Sequence, residues 1–143
     1  MSEFVAVFSS GVFFGAALYI TVAQHPAALE LGPSFAARFF SPMYRRAAPM
    51  QAALAGLGTL CGLWAWWRGS GSLWLLGAPF LFAVIPFTLL RIRSVVDPLL
   101  APDLDADAPD TEVLLRRWGS LHAVRTVLSG VSFAVWLGAL ASR

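Results

Sequence analysis

Three side chains near the C-terminal end of this sequence carry types and spacing suited to chemistry. Trp118, His122 and Arg125, in "LLRRWGSLHAVRT", are spaced i, i+4, i+7, which on a helix sets all three on one face. A neutral imidazole can accept a proton, and a guanidinium beside it can stabilise the anion left behind. The indole adds a flat apolar wall. The residues that follow, "VLSGVSFAVWLGALA", read as a helix made for lipid. Arg125 lies about 10 Å of helix rise in from Trp118, and it is the only charge well inside an apolar run. At that depth an arginine facing lipid costs at least about 2.5 kcal/mol unless it reaches the surface or finds a partner. The face is therefore expected to point into protein.

The elements that must position these groups follow from composition. The chain is 58% hydrophobic and 13% charged, where a soluble domain carries roughly 25% charged residues. This predicts an all-α integral membrane protein, one domain over residues 1–143. A spanning helix needs about 20 mostly apolar residues, and four runs qualify: about 4–23, 47–67, 73–90 and 118–140. The first exceeds the h-region of a signal peptide and reads as a retained span. Only "RGSG" separates the second run from the third, so the four are expected as an up-down-up-down bundle. Two long loops, 24–46 and 91–117, then share one membrane side. Pro33 is expected to open a short interfacial helix, with Phe35, Phe39 and Phe40 at the interface, and Pro86 to kink the third span.

Arginine placement predicts orientation. The long loops carry Arg38, Arg45, Arg46, Arg91, Arg93, Arg116 and Arg117, against Arg68 and Arg143 on the other side. Both loops should be cytoplasmic and both termini outside. Trp64, Trp66, Trp67 and Trp74 are expected as an outer aromatic anchor. The lysine-free, alanine- and glycine-rich composition points to a bacterial inner membrane. Membrane lipid is the expected surrounding, and a net charge of +2 gives no case for nucleic acid. Cys61 is the single cysteine and reads as a packing residue. Gly11 with Gly15, and Gly58 with Gly62, fit close helix packing, within the bundle before any dimer. The oligomeric state is not legible.

Up-down-up-down topology brings further polar groups to the same end: His25 closing the first span, Tyr44 and Arg45 preceding the second, and Thr88, Arg91 and Asp97 following the Pro86 kink. His122, Arg125, His25 and Asp97 are the candidate catalytic set; Trp118, Tyr44, Arg45, Arg91 and Thr88 are candidates for substrate contact. Each also has a structural reading. His25 could cap a helix at the interface, the arginines could enforce orientation, Tyr44 and Trp118 could sit in an aromatic belt, and Asp97 could neutralise an arginine.

The sequence resembles the anthrone oxygenase-like family of small four-helix membrane proteins. The likeness spans nearly the whole chain and rests on "QHPA", "PFTLLRI", "DPLL" and above all "LLRRWGSLHAVRT"; Asp97 stands where that family commonly has asparagine. It implies an oxygenase needing neither metal nor flavin, acting on a lipophilic aromatic small molecule of the anthrone type. On that scheme His122 removes the acidic C–H proton, Arg125 stabilises the enolate, Trp118 stacks on the substrate, and His25 and Asp97 orient or relay protons. Two other functions remain open. The cluster could bind a lipid, quinone or partner protein without chemistry, through Arg45, Arg91 and Arg125. Alternatively, the two histidines could ligate haem or join Asp97 around a metal.

Overall fold

The computed structural model describes residues 1–142; Arg143, assigned above to the outer side, lies outside the described residues. The described chain is helical, with no strand, and forms four rods. The first joins α1 (Ser2–Tyr19) to α2 (His25–Glu30) through a π-helical turn, Ile20–Gln24. The second is α3 (Pro33–Trp67). The third joins α4 (Ser72–Phe87) to α5 (Arg93–Leu99) through another π-helical turn, Thr88–Ile92. The fourth is α6 (Pro109–Ala141). Around the bundle the order is α1, α3, α4, α6, closing back on α1, as an up-down-up-down chain requires.

Three rods are long and apolar enough to cross a membrane: Ser2–Glu30, Ser72–Leu99 and Pro109–Ala141. This is a membrane protein. The fourth expected span lies in α3, which has the length but is not among these three; Pro49, Gln51 and the glycines at 56, 58 and 62 dilute its apolar run.

The long loops expected at 24–46 and 91–117 are mostly helix. Pro33 opens not a short interfacial helix but one of 35 residues. Only Leu31 and Gly32 interrupt the path, with Gly32 at φ 107, a conformation that favours glycine. Pro42 and Pro49 lie inside α3 without ending it. Pro86 does not end α4 either: the chain passes into the π-helical turn, and Thr88 Oγ1 donates to the Val84 carbonyl at 2.7 Å. Such relief of freed backbone groups by hydroxyls and local π geometry is what lets membrane helices carry proline.

Two apolar clusters fill the bundle. One, at the end holding the termini, contains Phe13, Trp74, Leu81 and Trp136; the other, at the loop end, contains Phe40, Ile92, Leu115 and Trp118. Trp74 corrects the expected aromatic anchor. Trp64, Trp66 and Trp67 are exposed, but Trp74 is fully buried and stacked on Trp136, whose Nε1–H donates to the Trp74 carbonyl at 3.0 Å. Glycines make room for this: Trp136 lodges against Gly62 of α3 and Gly77 of α4. Gly58 faces Leu81 and Ser9, and Gly11 faces Phe133, so these packing positions serve the bundle, whereas Gly15 meets nothing.

Candidate functional site

A polar layer lies between the two apolar clusters, and α6 supplies its centre. Trp118, His122 and Arg125 are buried, at 1%, 2% and 6% exposure. The i, i+4, i+7 face thus points inward. Arg125 Nη2 donates to Gln51 Oε1 on α3 at 2.8 Å, and its guanidinium lies 5.4 Å from the centre of the Phe13 ring on α1. No ion pair involves Arg125 among the described residues. Its charge is held by a neutral amide and an aromatic face alone. Of its five N–H donors, Nε is buried without an acceptor, as is Gln51 Nε2. The pair has more donors than acceptors, and an oxygen ligand would satisfy that excess.

Arg125 and Gln51 line a largely apolar cavity of about 330 Å³, together with Phe13, Tyr44, Thr88 and Leu89. This is within the size range of small-molecule pockets. Pro49, Ala52 and Leu89, also on its wall, are exposed, so it opens outward between α3 and α4. Tyr44 is half-buried and stacks on Phe40. Burial raises its phenol above the ordinary value, against the lowering pull of Arg125, so at neutral pH it is an uncharged donor.

His122 faces another way. Its Nδ1 lies 3.1 Å from Thr21 Oγ1 on the first rod, and that hydroxyl lies 2.9 Å from Thr126 Oγ1. The His122 ring packs on Trp118 at 4.9 Å, and the His25 ring meets the Trp118 edge at 5.0 Å. His25 Nε2 lies 3.0 Å from the Leu115 carbonyl. A carbonyl only accepts, so Nε2 carries the proton and Nδ1 is left with its lone pair. His25, His122, Thr21 and Trp118 line a second cavity, about 270 Å³, which has no lining residue in common with the first. The single shared pocket expected from topology is therefore two cavities. Arg125 lines the first cavity, one helix turn beyond His122, whereas His25 lines the second together with His122.

Gly119 makes the His25 position available. A Cβ there would lie 2.8 Å from His25 Cδ2 and Nε2. Gly119→Ala is expected to push the ring off the Leu115 carbonyl, costing about 0.5–1.5 kcal/mol for the hydrogen bond lost by His25. Loss of exchange protection at the His25 Nε2 proton, read by NMR, checks this.

The remaining candidates divide. Tyr44 and Thr88 line the Arg125 cavity. Asp97 does not join the site: it is exposed and pairs with Arg93 at 3.6 Å, one turn before it on α5. Arg45 and Arg91 are exposed and line neither cavity, because their helices turn those positions outward. Sequence reasoning missed Gln51, Thr21 and Thr126. Each is a polar residue within or at the end of an apolar run, and a count of such residues would have found them. No group of three or more His, Cys, Asp or Glu side chains suited to a metal exists among the described residues.

A family model described as "Anthrone oxygenase" matches residues 40–135, more than half of the chain. The match takes in Tyr44, Gln51, Thr88, Trp118, His122 and Arg125, and leaves out Thr21 and His25. No curated protein and no solved structure matches the chain.

Proposed function

This chain belongs to the anthrone oxygenase family, and from that premise we propose that it oxidises an anthrone-type aromatic ketone inside the membrane. The observation that carries the reading is Arg125: a buried cation without a carboxylate partner, on the wall of an apolar cavity. A flat lipophilic ketone would fill that cavity with its oxygen toward Arg125. The C–H bond opposite the carbonyl is acidic because its electron pair delocalises onto that oxygen. Arg125 and the neutral Tyr44 phenol stabilise the enolate.

His122, one helix turn before Arg125, is the base on this reading; it lines the second cavity and not the first, so its ring must turn from Thr21 toward Arg125 to meet the substrate. The enolate gives one electron to dioxygen, and the resulting radical pair joins as a peroxide. Protonation and loss of water then leave the second carbonyl. Supporting this reading is the inclusion of both His122 and Arg125 in the family match. Four spans, with α3 crossing beside the other rods, and cytoplasmic placement of the loop end complete the proposal; the arginines at that end support it. The site is proposed in a bacterial inner membrane, and the chemistry as needing no cofactor.

The test is turnover. Purified protein in lipid nanodiscs, given anthrone under air, is expected to form anthraquinone, and His122→Ala to lower the rate by about 100-fold. Equal rates in the two proteins remove His122 from the mechanism.

A second reading draws on the opening between α3 and α4. A cavity with a buried cation and a mouth between helices also suits a lipid or quinone bound without chemistry. A stoichiometric lipid in native mass spectra, with no anthrone turnover, would favour it.

A further inference from the structure

The second cavity has no part in holding the substrate proposed above. It lies between the first rod and α6, lined by His122 and not by Arg125. Its lining is of another kind: two imidazoles, the Thr21 hydroxyl, Ser120 and Arg116. Ser120 and Arg116 are exposed, so this cavity reaches the surface near the loop end of α6. The Arg125 cavity, in contrast, opens past Leu89 and Ala52 on the outside of the bundle.

We propose that the second cavity is a water-accessible proton-exchange site, where His122 trades its proton with the aqueous side through Thr21 and His25. The proposal rests on the oxygenase reading for the source of that proton. His122 is held on Thr21 by Nδ1, and Thr21 lines the cavity, so the Nδ1 edge is the exchanging edge. His25 has its Nε2 proton fixed on the Leu115 carbonyl, which leaves Nδ1 as an acceptor in a cavity it shares with His122. Trp118 packs against both rings, and Ile20 and Leu29 complete the cavity wall.

The physical need is charge. A proton taken by His122 makes a second cation beside Arg125 in a low-dielectric layer, and like charges there repel. On the oxygenase reading the mouth of the apolar cavity, past Ala52 and Leu89, faces lipid and gives that proton no exit. The charged groups around the two imidazoles are Arg125 and Arg116, the latter paired with Glu112 at 2.7 Å. In the balanced step the substrate C–H bond breaks, its electron pair stays on the enolate, and the proton passes to His122. The imidazolium releases one proton to cavity water next to His25 Nδ1. An equivalent proton returns when the peroxide oxygen is protonated, so net turnover neither makes nor consumes protons. Only isotope exchange reveals the path.

The experiment runs without oxygen. Anthrone is incubated in deuterated buffer with protein in nanodiscs, and deuterium entering its acidic position is followed by mass spectrometry above the protein-free rate. Wild type is expected to catalyse exchange. His25→Gln retains an amide N–H for the Leu115 carbonyl but carries no proton acceptor of comparable basicity. It is expected to slow exchange at least about tenfold while anthraquinone binds with unchanged affinity. Added imidazole, small enough for the cavity, should restore part of the rate. Undiminished exchange in His25→Gln overturns the proposal. A second measurement is independent of turnover. Diethyl pyrocarbonate added from water should modify His25 equally fast with the apolar cavity empty or loaded with anthraquinone. Protection by anthraquinone, or no modification at all, also overturns it. If wild type neither exchanges nor oxidises anthrone, the oxygenase reading fails, and the modification result still decides whether the second cavity is open to water.

Discussion

Arg125→Gln is expected to lower anthrone turnover by about 100- to 1,000-fold, the range for removing one preorganised oxyanion donor. The size follows from the absence of any substitute. Among the described residues no other cation lines the cavity, and Tyr44 offers only a neutral phenol. Gln51→Glu separates charge from structure. Gln51 is buried at 2% exposure and accepts from Arg125 at 2.8 Å. A carboxylate there keeps the hydrogen bond and tightens it into an ion pair. The bundle should remain folded, yet the positive charge is spent within the protein, and turnover should again fall by at least about tenfold. Rates measured in nanodiscs, with helicity recorded alongside, check both variants. Wild-type turnover in Arg125→Gln would mean that this guanidinium is a structural tie between α6 and α3.

Gly77→Ala should cost the bundle about 2–4 kcal/mol, the sum of overpacking and a lost hydrogen bond. The new methyl would fall on the Trp136 indole nitrogen, which donates to the Trp74 carbonyl at 3.0 Å. Trp136 has no room to retreat, since Gly62 of α3 bounds its other side and the ring is fully buried. Gly15→Ala is the control. Nothing lies within 4 Å of its added Cβ, so the change should be within about 0.5 kcal/mol of neutral. Thermal melting of both variants in one detergent measures the contrast. A Gly77→Ala midpoint equal to wild type would show that the Trp136 slot is looser than its contacts indicate.

The sequence by itself determined the class, the helical bundle and the direction of one helix face. A 13% charged fraction and long apolar runs leave little but membrane helices. Arg125 within such a run had to face protein, and it does. The tertiary structure decided how that face is divided. Residues three apart on a helix differ by about 60° around the axis and about 4.5 Å along it. Sequence spacing treats His122 and Arg125 as one face, but that difference is enough for His122 to meet Thr21 on the first rod. The longer Arg125 side chain reaches Gln51 on α3 instead. Sequence spacing also does not give the rotation of the other helices. That rotation buries Trp74 and Gln51 and turns Asp97, Arg45 and Arg91 out to the surface. Local periodicity is fixed by backbone geometry within one helix, whereas partners and cavities depend on how four helices pack, which no single helix encodes.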